Sequence, residues 1–176
     1  MTLSVVALAL ALSLQAGEAG PAAADACALP SGLRDALQER FGSARVLKPT
    51  DLYEDERALF RKEHPGGCPG IARGQFFGSG QRPAIALVLI DVEPRKNIRL
   101  VVARPALSAW TFVEVDEMDQ GSTAVAGRKG PGTYTDLPTA KARTTNNDVV
   151  TLTGYESWQR VYIWNGRAFD RLQVVQ

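Results

Sequence analysis

One histidine, His64, and two cysteines, Cys27 and Cys68, are the whole imidazole and thiol content of this 176-residue chain. A zinc site of three Cys and His ligands would consume all of them, and one of four exceeds the supply. A Ser-His-Asp or Cys-His catalyst would have to run through His64. That residue precedes Pro65 at the end of a helical stretch, where a surface or C-capping role is expected. Carboxylates are the next candidates. Glu114, Asp116, Glu117 and Asp119 lie within six positions. Two facing acids at the right separation can hydrolyse a glycosidic bond, whereas an acidic run is also what a solvated strand end looks like. A third constellation is aromatic. Trp158, Arg160, Tyr162 and Trp164 alternate, so they share one face of a strand, with Val161 and Ile163 on the other. Arg160 can stack on those rings. The aromatic face is either covered by long loops or open as a candidate binding surface. No residue is assigned as catalytic, cofactor-binding or metal-binding.

From Cys68 the chain reads Cys-Pro-Gly-Ile-Ala-Arg-Gly74-Gln-Phe76-Phe77-Gly78-Ser79-Gly80-Gln-Arg-Pro83, then an apolar run. Gly74-x-Phe76-x-Gly78-x-Gly80 before a strand resembles the calcium loop of FG-GAP and VCBS repeats, whose common form is Gly-Asp-Phe-Asn-Gly-Asp-Gly. The positions that hold ligands in that family carry Gln75, Phe77, Ser79 and Pro83 here. Calcium takes six to eight oxygens, several of them charged, so the loop is expected to be a metal-free, degenerate version with Phe76 and Phe77 packed beneath it. Gly78-Ser79-Gly80 also lacks the lysine and the following helix of a phosphate-cradling loop, and no cofactor is implied. The succession of Cys-Pro-Gly, glycine-rich turn, apolar strand and late aromatic Asn-Gly hairpin is similar to that of uncharacterised secreted bacterial proteins, which implies export and no particular activity.

These residues must be positioned by elements legible in the periodicity. Leu33, Ala36, Leu37 and Phe41 predict a helix that opens at Ser31 and stops at Gly42. Ser43–Lys48 reads as a short extended piece. A capping-box-like start at Asp51, acids in the first turn (Glu54, Asp55, Glu56) and bases in the last (Arg61, Lys62) predict a second helix, with Leu52, Leu59 and Phe60 facing the core. Ala84–Val92 is nearly all apolar and reads as a central strand. Ile98–Ala103, Ala109–Val115 and Asp148–Thr153 follow as strands. Asn165-Gly166 between two β-rich runs signals a hairpin whose turn residues both need positive φ. Residues 117–147 read as long loops with at most one short strand, near Thr123–Ala126. Helices followed by strands without alternation predict an α+β fold, with two N-terminal helices packed on a mainly antiparallel sheet of five or more strands.

The composition, 45% hydrophobic and 22% charged with a net charge of +1, is that of a globular domain without an electrostatic footprint for nucleic acid. Val5–Leu14 is a ten-residue uncharged run, too short to span a bilayer, and small residues follow it. That is the pattern of a signal peptide, although no base precedes the run. Residues 1–26 are therefore expected to be a signal peptide and low-complexity leader, and residues 27–176 a single domain. Losing Glu18 and Asp25 with the leader raises the net charge from +1 to +3. An exported chain can form a disulfide between Cys27 and Cys68. Ala24-Asp25-Ala26-Cys27 also bears a poor likeness to a lipoprotein processing box, and two unpaired thiols are the third option. The resulting expectation is a periplasmic or secreted binding or interaction module without catalytic equipment. Its partner would be a protein or an envelope ligand, with no nucleic acid and no integral membrane span. A carboxylate-dependent hydrolase and a structural envelope protein are the alternatives.

Overall fold

The computed structural model describes residues 25–91, 97–118, 123–155 and 158–175. The expected signal peptide falls almost entirely outside them, as do Asp119 and most of the turn at 93–97. Among the described residues no helix is long and apolar enough to cross a membrane.

The described residues form an α+β fold, with two helices and antiparallel strands. Helix α1 is Ser31–Phe41. Strand β1 (Arg45–Val46) and a 3-10 turn at Pro49–Asp51 lead to α2, Glu54–Glu63. Asp51 does not open that helix: it accepts the Lys48 N–H at 2.7 Å and pairs with Arg45 at 2.6 Å. Glu56 instead reaches back to the Tyr53 N–H at 3.2 Å. His64 caps the far end, exposed, its N–H bonded to the Phe60 carbonyl.

Strands β2 (Ile71–Gly74), β3 (Ala84–Ile90), β4 (Ile98–Pro105) and β5 (Trp110–Met118) form the first sheet with β1. β1 and β2 share one edge of β3, and Val88 serves both, bonding Leu47 and Gly70 through its backbone. Gly70 has to be glycine because a Cβ there would sit 2.4 Å from the Leu47 carbonyl oxygen. A second sheet runs in the order β11-β10-β9-β6, where β6 is Val125–Lys129, β9 Val149–Gly154, β10 Trp158–Trp164 and β11 Phe169–Val175. A separate hairpin joins β7 (Gly132–Asp136) to β8 (Lys141–Thr145).

The single sheet expected from the sequence is therefore two sheets and a hairpin, stacked in layers. Ala84, Ala86, Val88, Leu100 and Val102 of the first sheet bury one face against Val150, Leu152 and Tyr162 of the second. The opposite face of the first sheet, Ile85, Leu87, Leu89 and Val101, is covered by Leu33 and Leu37 of α1. Every residue of β3 is buried as a result. The outer face of the second sheet, Val149, Val161, Ile163 and Leu172, is covered by Tyr134 of the β7–β8 hairpin. Only α1 packs on a sheet face; α2 contributes Phe60, and the segment just before it Leu52, to the core between the sheets. A disulfide, Cys27–Cys68, ties the segment before α1 to the turn before β2.

The described part of segment 117–147 is not the long loops that its composition implies. It holds the end of β5, all of β6 and the whole β7–β8 hairpin. The hairpin escapes a hydrophobicity pattern because its outer side is Thr133, Thr135 and Thr144, and only Tyr134 turns inward to the outer-face cluster. The Asn-Gly hairpin forms as expected but by a different turn. Trp164 pairs with Phe169 across a four-residue loop, and positive φ occurs at Gly166 alone of the two. The Asn165 side chain does the work that φ was expected to do, accepting the N–H groups of Arg167 and Ala168 at 2.9 Å each.

Candidate functional site

The two stacked sheets meet along one side, where the Ala126 N–H bonds the Pro69 carbonyl at 2.8 Å. On the other side their terminal strands are β5 and β11. The aromatic face of β10 lies on the inner side of this sandwich, toward the first sheet and not beneath loops. Each of its four side chains is engaged there. Tyr162 is fully buried (0% exposed), and its hydroxyl donates to Asp116 Oδ2 at 2.5 Å. Arg160 donates to the same oxygen at 3.1 Å, and its guanidinium lies 4.7 Å from the Trp158 ring centroid. Trp158 packs so closely on Gly154 that a Cβ there would come within 2.5 Å of the indole nitrogen. Trp164 is in edge contact with Phe77, centroids 4.8 Å apart, and lies 5.2 Å from Phe169. Arg104 stacks over Phe77 at 5.2 Å. Arg171, beside Tyr162 on β11, reaches Asp116 at 3.7 Å while remaining largely exposed.

Asp116 is thus the hub that joins β5 to β10 and β11 across the side of the sandwich that has no strand pairing. Burial, and then the bond to the Asp116 carboxylate, push the Tyr162 phenol well above its ordinary pKa. Sequence alternation alone would have put Asp116 on the α1 side with Trp110, Phe112 and Glu114. A bulge between the Leu100–Asp116 and Val101–Glu114 pairs adds Val115 and turns Asp116 inward. Glu114 stays on the α1 side, 3.3 Å from Arg40. Glu117, one residue on, is exposed and accepts from Asn97 at 2.9 Å. The three described members of the acidic cluster therefore diverge, and Asp116 is enclosed by donors rather than opposed by a second carboxylate.

At the Gly74–Gly80 turn Phe76 is fully buried, as expected of a ring that supports the loop. Phe77 packs against Trp164 and Phe169. Gly78 and Gly80 take positive φ, the conformation that the glycine spacing implied. Asp148, at the start of β9, accepts the Gln75 N–H at 2.8 Å and fixes the loop to the second sheet.

A feature without a sequence signal is a groove of about 600 Å³ between α1 and the turn joining β4 to β5. Asp35 and Glu39, one helical turn apart, line it together with Arg82, Leu107 and the ring of Trp110. Leu107 stands at the turn and is 98% exposed. Three segments distant along the chain, α1, Arg82 and the β4–β5 turn, build this groove, so no linear pattern marks it. No protein-family model, curated protein or solved structure matches the chain.

Proposed function

We propose that this chain is an exported, non-catalytic binding module whose recognition surface is the groove between α1 and the β4–β5 turn. The observation that carries the reading is the lining of that groove. A fully presented leucine and an indole supply apolar contact, and two carboxylates on one helix face, set against the single base Arg82, supply a net negative charge. A leucine exposed alone is ordinary, whereas one set beside an indole at a concavity makes the contiguous apolar surface that marks an interaction site. The matching partner is a protein segment that carries a base next to an apolar side chain. The disulfide and the uncharged leader-like run at residues 5–14 support export to an oxidising compartment.

The test is site-specific photocrosslinking in the native host, with the reactive group placed at Ser108 in the groove or at Thr133 on the distant hairpin. One discrete adduct from Ser108, absent from Thr133 and lost when Asp35→Lys and Glu39→Lys are combined, is the expected result. Equal adducts from both positions, or an adduct indifferent to charge reversal, would refute the groove as the recognition surface. Intact mass of the protein recovered from the host tests export separately, because a chain that still begins at Met1 is incompatible with it.

A further inference from the structure

We infer that a second, smaller pocket binds an organic monoanion with an apolar body, such as an aromatic carboxylate. This pocket, of about 310 Å³, opens at the seam where the end of α2 meets β2 and β6. Its floor is apolar: Phe60, Ala72 and Ala126, all buried. Arg73 from β2 and Arg128 from β6 supply its cations, and the imidazole of His64, from the cap of α2, lines it beside them. No carboxylate lines it among the described residues.

Bases at the end of a helix are accounted for by its dipole, which explains Arg61 and Lys62 in the last turn of α2. That explanation does not extend to Arg73 and Arg128, which stand on strands and are exposed. Of the two nearby acids, one is bonded elsewhere and the other is shared with Arg128. Glu63 accepts from the Tyr155 hydroxyl at 3.4 Å. Asp148 accepts the Gln75 N–H and is the ion-pair partner of Arg128 at 3.4 Å, which leaves Arg73 as the guanidinium of this pocket without a carboxylate partner among the described residues. Arg73, with the part of the Arg128 charge that Asp148 does not offset, gives the concavity a positive edge that raises the local concentration of anions. An apolar floor with a few cationic groups at its edge is the composition of a small-molecule site, and the volume lies at the lower end for one. A bare inorganic anion would use the cations but leave the Phe60 floor in contact with water. A ring bearing a carboxylate satisfies both.

The experiment is an NMR titration of the oxidised protein with benzoate and, separately, with inorganic phosphate, following the His64 ring and the Gly67 and Gly127 amides. The expected result is saturable shifts at these three positions with benzoate, at an affinity about tenfold or more above that for phosphate, the gain of burying a ring on an apolar floor. Arg73→Gln and Arg128→Gln should each weaken benzoate about fivefold, as loss of a partly exposed charged contact does. Lys141→Gln, an exposed base on the far hairpin, should leave affinity unchanged. Both arginines are exposed, so the variants are expected to fold, and the unperturbed amide spectrum checks this. Shifts that fail to saturate, phosphate binding as tight as benzoate, or affinity indifferent to both arginine changes would overturn the assignment.

Discussion

Asp116→Ala removes the one acceptor that serves Tyr162, Arg160 and Arg171 together. The phenol has no exposure to solvent, so its hydroxyl would be left without a partner, at a cost of about 1–3 kcal/mol. Loss of the bond to Arg160, whose side chain is 26% exposed, adds about 1 kcal/mol once solvent screening is allowed for. The variant should therefore lose about 3 kcal/mol. Tyr162→Phe leaves Asp116 with its two arginines and should lose about 1 kcal/mol. The double variant removes donor and acceptor together and should lose about 2 kcal/mol, less than the sum of the singles. Urea unfolding of the oxidised protein measures all three. Additivity within about 0.5 kcal/mol would refute the hub, because it would mean the hydroxyl and the carboxylate do not depend on each other. Alkaline pH gives an independent check. Burial, then the bond to Asp116, raise the phenol pKa in the folded state, so the unfolded chain ionises first. The stability linked to this group is intact below about pH 10. It declines as pH rises from there toward the folded value, by about 1.4 kcal/mol per pH unit. Tyr162→Phe should flatten that decline, leaving the contribution of Tyr155, whose pKa burial and Glu63 push up to about 12.

Cys27→Ser and Cys68→Ser should each lower stability by about 4 kcal/mol, the chain-entropy value for a loop of 41 positions, with the double variant no worse than either single; additive losses in thermal unfolding would contradict a shared bond. Ala140 holds φ at 55° in the β7–β8 turn, so Ala140→Gly should raise stability by about 1 kcal/mol, and a measured loss would show that the left-handed conformation carries no strain. Phe76→Ala should lose about 3–5 kcal/mol, since the ring is fully buried beneath the glycine turn. Millimolar calcium or EDTA should leave the melting temperature unchanged, because Gln75 and Ser79 offer no charge to a divalent ion; a calcium-dependent rise of several degrees would reverse that reading.

Local patterns in the sequence were enough for the elements whose signal is contained in one segment. The period of Leu33, Leu37 and Phe41 located α1 because a single helix face is buried, and the unbroken run Ala84–Ile90 identified the central strand because both of its faces are covered. The cysteine pair could be proposed from the even count and the export expected of the leader-like run, and the Phe76 anchor from its place in a glycine turn. What lay beyond a linear reading depended on contacts between distant segments. Tyr134 is a lone aromatic in a threonine-rich stretch until the outer face of the second sheet gives it something to cover. The face to which Asp116 belongs changed because one bulge residue, Val115, shifts the alternation that decides which way a strand side chain points. The aromatic face of β10 turned inward because the hairpin from 132–145 covers Val161 and Ile163, leaving Trp158, Tyr162 and Trp164 to face the other sheet. Both pockets lie where non-consecutive elements meet, and their side chains converge only through tertiary packing, so periodicity along the chain carries no trace of them.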